Sequence, residues 1–142
     1  MTSTARTLTA LDFFAGSGLV RLGLQPHFST VWANDVSAKK AAVYRANFND
    51  SELHICGIEE IDGRNIPSAD LAWASFPCQD LSLAGNQRGM KRGTRSGLFW
   101  EWVRVLDGLA QRKQRPQVTC AENVVGFLSS RGGNDFKAAY AA

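Results

Sequence analysis

A series of short apolar runs, each broken at its carboxyl end by residues able to do chemistry, constrains this chain more than any other feature. Thr7 to Phe14 is a β-branched and apolar run that stops at Ala15-Gly16-Ser17-Gly18, ahead of a helical apolar pattern through Leu19, Leu22 and Leu24. That order reads as strand, tight glycine turn, helix. Phe28 to Ala33 is a second strand ending at Asn34-Asp35, and Ser37 can cap a helix whose Ala41, Tyr44 and Phe48 share one face. Leu53 to Cys56 fits a third strand. Ala69 to Phe76, mostly apolar, fits a fourth, buried on both faces of a parallel sheet. Phe99, Trp102, Val103, Leu106, Leu109 and Ala110 then trace an amphipathic helix, and after Pro116 a fifth strand, Gln117 to Ala121, leads into Glu122-Asn123-Val124.

Alternation of this kind implies an α/β fold, a doubly wound, mostly parallel sheet with right-handed crossovers. Asn134 to Ala142 reads as the start of the helix after the fifth strand, and a sheet ending there leaves that strand as an edge. Neither an internal repeat nor a low-complexity linker divides the chain, so residues 1–142 read as part of one domain. Hydrophobic residues at 44% and charged residues at 20% exclude wholesale disorder. No apolar run approaches the ~20 residues of a membrane helix and Met1 to Ala10 lacks a secretory apolar segment, so the expected location is the cytoplasm.

The net charge of +3 is too small to indicate a partner, but its placement is informative. Arg88, Lys91, Arg92 and Arg95 lie between Gly85 and Gly97 with no acid among them, which leaves the rest of the chain at −1. Such a stretch is either a solvated surface loop or a phosphate-contacting one. Cys56, Cys78 and Cys120 are odd in number, widely spaced and form no C-x-x-C pair, which argues against a disulfide framework and against a zinc site.

Several strand ends carry candidate chemistry. The Gly16 to Gly18 turn is either a plain βα turn or a cofactor turn, and Asp35, about twenty residues after it, stands where an acid can take ribose hydroxyls. Cys78, stiffened by Pro77, is either a small buried hydrophobe or a working thiol. Glu122 is either a first-turn acid or a functional carboxyl, and neighbouring strands of a doubly wound sheet would open it and Cys78 onto one crevice.

Asp-Phe-Phe-Ala-Gly-Ser-Gly at 12–18, Phe-Pro-Cys-Gln-Asp-Leu-Ser-Leu-Ala-Gly at 76–85 and Ala-Glu-Asn-Val at 121–124 resemble, in that order, the DNA cytosine-5 methyltransferase family. The likeness runs from Leu11 to about Phe127 and includes Ser96-Gly97-Leu98-Phe99. It implies a partial Rossmann-like, S-adenosyl-L-methionine-dependent methyltransferase domain, truncated after the fifth strand, with DNA as substrate and restriction-modification as setting. Cys78 would be the nucleophile that adds to carbon 6 of cytosine, and Glu122 the acid at ring nitrogen 3. The cofactor would be held by Phe14, Ala15, Gly16, Gly18, Asp35, Val36, Pro77 and Leu98. Gln79 together with Arg88, Lys91, Arg92 and Arg95 of the closing loop would contact the nucleic acid, whose target base must be flipped out of the helix.

Departures from the family pattern accompany the likeness. Asp35 stands where Glu is commoner, and Cys56-Gly57-Ile58 falls where Gly-Asp-Ile is usual, so the acid for the adenine amino group is lost at Gly57. The family's Arg motif, target-recognition region and final cofactor-contacting Asn are absent from these 142 residues. The expectation is therefore an amino-terminal catalytic portion that is inactive alone and needs a carboxyl-terminal segment or a second chain. Rival readings are a transfer RNA cytosine-5 methyltransferase of the same fold and a non-catalytic module that binds S-adenosylmethionine or nucleic acid.

Overall fold

The computed structural model describes residues 6–48, 51–77 and 97–142. Its sheet is built from β1 (Leu8–Phe13), β2 (Phe28–Asp35), β3 (Leu53–Ile55), β4 (Leu71–Ala74) and β5 (Val118–Ala121). All pair in parallel, in the spatial order β3-β2-β1-β4-β5. The chain winds outward from β1 first through β2 and β3, then crosses back to β4 and β5. The reversal lies between β1 and β4, and in open α/β sheets ligands bind outside the carboxyl ends of the strands at that point.

Alternation along β1 and β2 sends side chains to opposite faces, and the faces differ. Leu11, Phe13 and Trp32 join Ala72, Ala74, Phe76, Ile58, Ile61 and Ile66 in the larger core, against α3 (Leu98–Gln111). On the other face Ala33 and Leu53 pack with Ala41 and Tyr44 of α2 (Ala38–Asn47). Phe13 is fully buried, its ring 5.1 Å from Trp32 and 6.3 Å from Trp102. Ser37 caps α2 as its sequence position predicts, its hydroxyl accepting from Lys40 N at 3.3 Å. α3 crosses the 61–66 segment so closely that a Cβ on Gly63 would stand 2.0 Å from the Val105 carbonyl oxygen. Glycine is obligatory there.

Several expectations need correction. The six-residue helix α1 (Leu19–Leu24) forms, but Leu19 is 76% exposed and Leu22 57%, because no described element packs over that face. Val105, absent from the expected apolar stripe of α3, is fully buried, whereas Val103 is only half-buried. β4 is shorter at both ends than the apolar run Ala69 to Phe76, and β3 ends one residue before Cys56. After β5 a short helix, α4 (Gly126–Ser129), and a 3-10 turn, Ser130–Gly133, precede α5 (Asn134–Tyr140), so the chain turns helical earlier than Asn134. No helix among the described residues is long and apolar enough to cross a membrane.

Candidate active site

A cleft of about 530 Å³ opens where β1, β2 and β4 end. Phe14, Asp35, Val36, Pro77 and Leu98 line it together, although they come from four separate stretches of the chain. Phe14 follows β1 directly with φ of 59°, and Gly16 and Gly18 follow with φ of 58° and 86°, so the backbone turns sharply under the cleft. A left-handed φ at Gly18 suits glycine. A Cβ there would also stand 2.5 Å from Phe48 Cε2 and 2.9 Å from Tyr44 Cδ2, so Gly18 lets the turn sit on α2. Ala15 is buried and donates its N–H to the Asn34 carbonyl at 2.8 Å. Ala15, Gly16 and Gly18 therefore shape the turn without themselves lining the cleft.

Asp35 connects the turn to α2. Its Oδ2 accepts from Gly16 N at 2.9 Å and its Oδ1 from Ser37 N at 2.8 Å, with the residue almost wholly buried. Each carboxylate oxygen keeps a further lone pair for a hydroxyl donor. Asn34 braces the same floor, accepting from Phe14 N at 3.4 Å and donating to the Cys56 carbonyl at 3.2 Å.

β4 and β5 end side by side, with Ala74 paired to Ala121 and Glu122 N donating to the Ala74 carbonyl at 2.9 Å. The expectation that Glu122 and Cys78 open onto one crevice involves Cys78, which lies outside the described residues. Glu122 is exposed and lies outside the lining of the cleft. Cys78 and Gln79 lie outside the described residues, as do Arg88, Lys91, Arg92 and Arg95.

This arrangement can be matched with known proteins. Residues 8–142 match the family of C-5 cytosine-specific DNA methylases. The chain belongs to that family. It is 34% identical over 137 residues to the type II methyltransferase M.Bsp6I of Bacillus sp. (strain RFL6), covering 95% of this chain and 42% of that protein. To the type II methyltransferase M.HhaI of Haemophilus parahaemolyticus it is 33% identical over 128 residues, covering 89% and 37%. The chain thus spans less than half the length of these curated relatives. Among solved structures, the S. pombe Dnmt2 methyltransferase has a TM-score of 0.67 at 19% identity, covering 93% of this chain and 41% of that one, a likeness of fold.

Within this member of the family the structure adds residues to which sequence reasoning gave no role. Asn123 donates to the Phe76 carbonyl at 3.0 Å and so ties the turn after β5 to the segment entering Pro77. The quoted motif contained Asn123, but nothing in the motif indicated the partner. Asp12 is fully buried on the α1 and α2 side of β1, and neither of its carboxylate oxygens finds a hydrogen-bond donor among the described residues. Burial, reinforced by the Asp35 charge and opposed by Arg21, pushes its pKa up to about 7. Nearby, Arg21 pairs with Glu52 and donates to Tyr44 Oη at 3.0 Å, while its guanidinium lies 4.7 Å from the Phe48 ring centroid. The Cys56 and Cys120 thiols are both pushed up, chiefly by burial, then by Glu60 and Glu59 around Cys56 and by Glu122 near Cys120. A thiol held protonated is a poor nucleophile.

Proposed function

We propose that the protein transfers a methyl group from S-adenosyl-L-methionine to carbon 5 of cytosine in DNA, this chain supplying the cofactor cleft, the thiol and the acid. The observation that carries the reading is the convergence of Phe14, Asp35, Val36, Pro77 and Leu98, named from the sequence motifs, on one cleft at the sheet's reversal point. Its volume of about 530 Å³ lies within the range of roughly 300 to 1,000 Å³ usual for small-molecule sites. The donor set suits the cofactor, with apolar walls for a purine and the Asp35 carboxylate for ribose hydroxyls. When bound, S-adenosylmethionine supplies an electrophilic methyl group.

Carbon 5 of cytosine is a weak nucleophile, and the chain's own residues would remedy this. The Cys78 thiolate forms a bond to carbon 6 as the carbon 5–carbon 6 π bond breaks, giving carbon 5 the electron pair that takes the methyl group. Loss of the carbon 5 proton to a base then re-forms the double bond and expels the thiolate. Glu122 gives a proton or a hydrogen bond to nitrogen 3 as negative charge develops on the ring. Arg88, Lys91, Arg92 and Arg95 contact phosphates and Gln79 contacts the nucleic acid, whose target base is flipped out of the helix. Target recognition and completion of the cofactor site come from a carboxyl-terminal segment or second chain, and the 142 residues alone transfer no methyl group.

The test is covalent trapping. Assembled with its carboxyl-terminal elements, the protein should form a denaturation-resistant adduct with duplex DNA containing 5-fluorocytosine in the presence of S-adenosylmethionine. Cys78→Ser should abolish the adduct, while Cys56→Ser and Cys120→Ser retain it. An adduct that survives Cys78→Ser would refute the assignment of the nucleophile.

A further inference from the structure

The glycine at position 57 looks like a lost contact, and the geometry around it shows what fills the space. Gly57 begins the 3-10 turn Ile58–Glu60 with φ of −69° and ψ of 151°, an extended conformation open to any residue. The backbone therefore has no need of glycine here. A Cβ built on Gly57 would stand 2.6 Å from Glu59 Oε2 and 3.1 Å from Glu59 Cδ. The Glu59 carboxylate thus occupies the space that an acidic side chain at position 57 would enter.

The neighbouring Glu60 is already committed, since its Oε1 accepts from Gly57 N at 2.8 Å and closes the turn. Glu59 lines the cleft, is exposed, and accepts no hydrogen bond from a described residue. Beneath it the turn is held rigidly from α3. Arg104 donates to the Ile58 carbonyl at 3.0 Å and to the Ile61 carbonyl at 2.9 Å, and pairs with Glu101 at 2.7 Å. The result is a fixed turn presenting one free acceptor beside the apolar side chains of Ile58, Phe14 and Leu98.

We propose that Glu59 accepts the hydrogen bond from the adenine 6-amino group of S-adenosylmethionine, replacing from two residues away the acid missing at position 57. This rests on the cofactor reading above and deepens it. An ionised carboxylate only accepts hydrogen bonds, so it recognises an amino group and disfavours a carbonyl at the same ring position.

The experiment is equilibrium binding by the intact protein of S-adenosylhomocysteine and of S-inosylhomocysteine, in which the amino group is replaced by a carbonyl. Wild type should prefer the adenine ligand by at least tenfold, as befits a hydrogen bond to a charged group. Glu59→Ala should lose about tenfold in affinity for S-adenosylhomocysteine and lose the preference. Adding Gly57→Asp to Glu59→Ala should restore both, because the obstructing carboxylate is gone and the backbone tolerates the new residue. Equal affinities of wild type and Glu59→Ala for S-adenosylhomocysteine would overturn the assignment and leave the cofactor reading standing. Failure of wild type to bind S-adenosylhomocysteine at all would overturn the cofactor reading and the Glu59 assignment with it.

Discussion

The amino-terminal side of the sheet and the segment from β5 onward use similar residues and bury them very differently. Through α3 the chain encloses Leu11, Phe13, Trp32, Tyr44, Val105 and Leu109 almost completely. Beyond Leu109 only Pro116 and Asp135 are buried among the described residues, while Val125 is 82% exposed and Tyr140 86%. Hydrophobic composition alone therefore does not make a core. A strand of a parallel sheet needs cover on two faces and a neighbour on each edge. β1 has all of these, and among the described residues β5 pairs with β4 alone.

The sharpest way to break this contrast is to remove one large side chain from each region. Phe13→Ala leaves a cavity between Trp32 and Trp102 and should cost about 3–5 kcal/mol. Leu128→Ala removes a side chain that is mostly in water and should change stability by less than about 0.5 kcal/mol. Urea unfolding of the two variants measures both. Comparable losses would mean that the region after β5 is as well packed as the β1 face.

The contrast also separates what the sequence could tell from what it could not. Each strand run and its position in order were readable, because β-branched and apolar runs punctuated by Gly16, Asp35 and Pro116 leave few alternatives. Several residues that line the cleft, Phe14, Asp35, Val36, Pro77 and Leu98, were named too, through the family resemblance, which matches them position by position. The exposure of α1 was not legible, since periodicity shows that a helix has an apolar face without showing what covers it. Val103 and Val105 lie on opposite flanks of one stripe, and the close crossing of α3 over Gly63 buries the Val105 flank. The sequence showed the missing acid at Gly57, whereas the Glu59 carboxylate beside it depends on how the 3-10 turn folds back.

Asp12 provides a second test, of intermediate size, because a buried carboxyl with no hydrogen-bond partner among the described residues marks the amino-terminal side alone among the regions compared. Its carboxyl is pushed from the ordinary 3.8 to about 7. Between these values the folded chain holds a proton that the unfolded chain has released. Stability should therefore fall as pH rises from about 4 to about 7 and then level off, by on the order of a few kcal/mol. Asp12→Asn stays neutral throughout and should remove this part of the slope. Thermal unfolding across that pH range would show it, and an unchanged slope in the variant would mean that Asp12 is ionised in the folded chain.

The smallest effect on stability, and the most informative about the carboxyl-terminal side, belongs to the edge of β5 that no strand among the described residues covers. Thr119 is exposed in the middle of that edge and pairs through its backbone with Ala72 of β4. Thr119→Lys removes nothing that is buried and should shift the unfolding free energy by less than about 0.5 kcal/mol. A strand edge that offers free N–H and C=O groups beside exposed Val118 and Tyr140 is a template for another strand, and a lysine on it opposes such pairing by charge and by its hydration. Wild-type 1–142 should therefore self-associate with rising concentration, and Thr119→Lys should remain monomeric to higher concentration in sedimentation velocity. If the two chains associate equally, the contact runs through another apolar surface, with the exposed Leu19 and Leu22 face of α1 the next to test by Leu19→Lys. If neither associates, the difference in burial between the two regions has no consequence for the chain in solution.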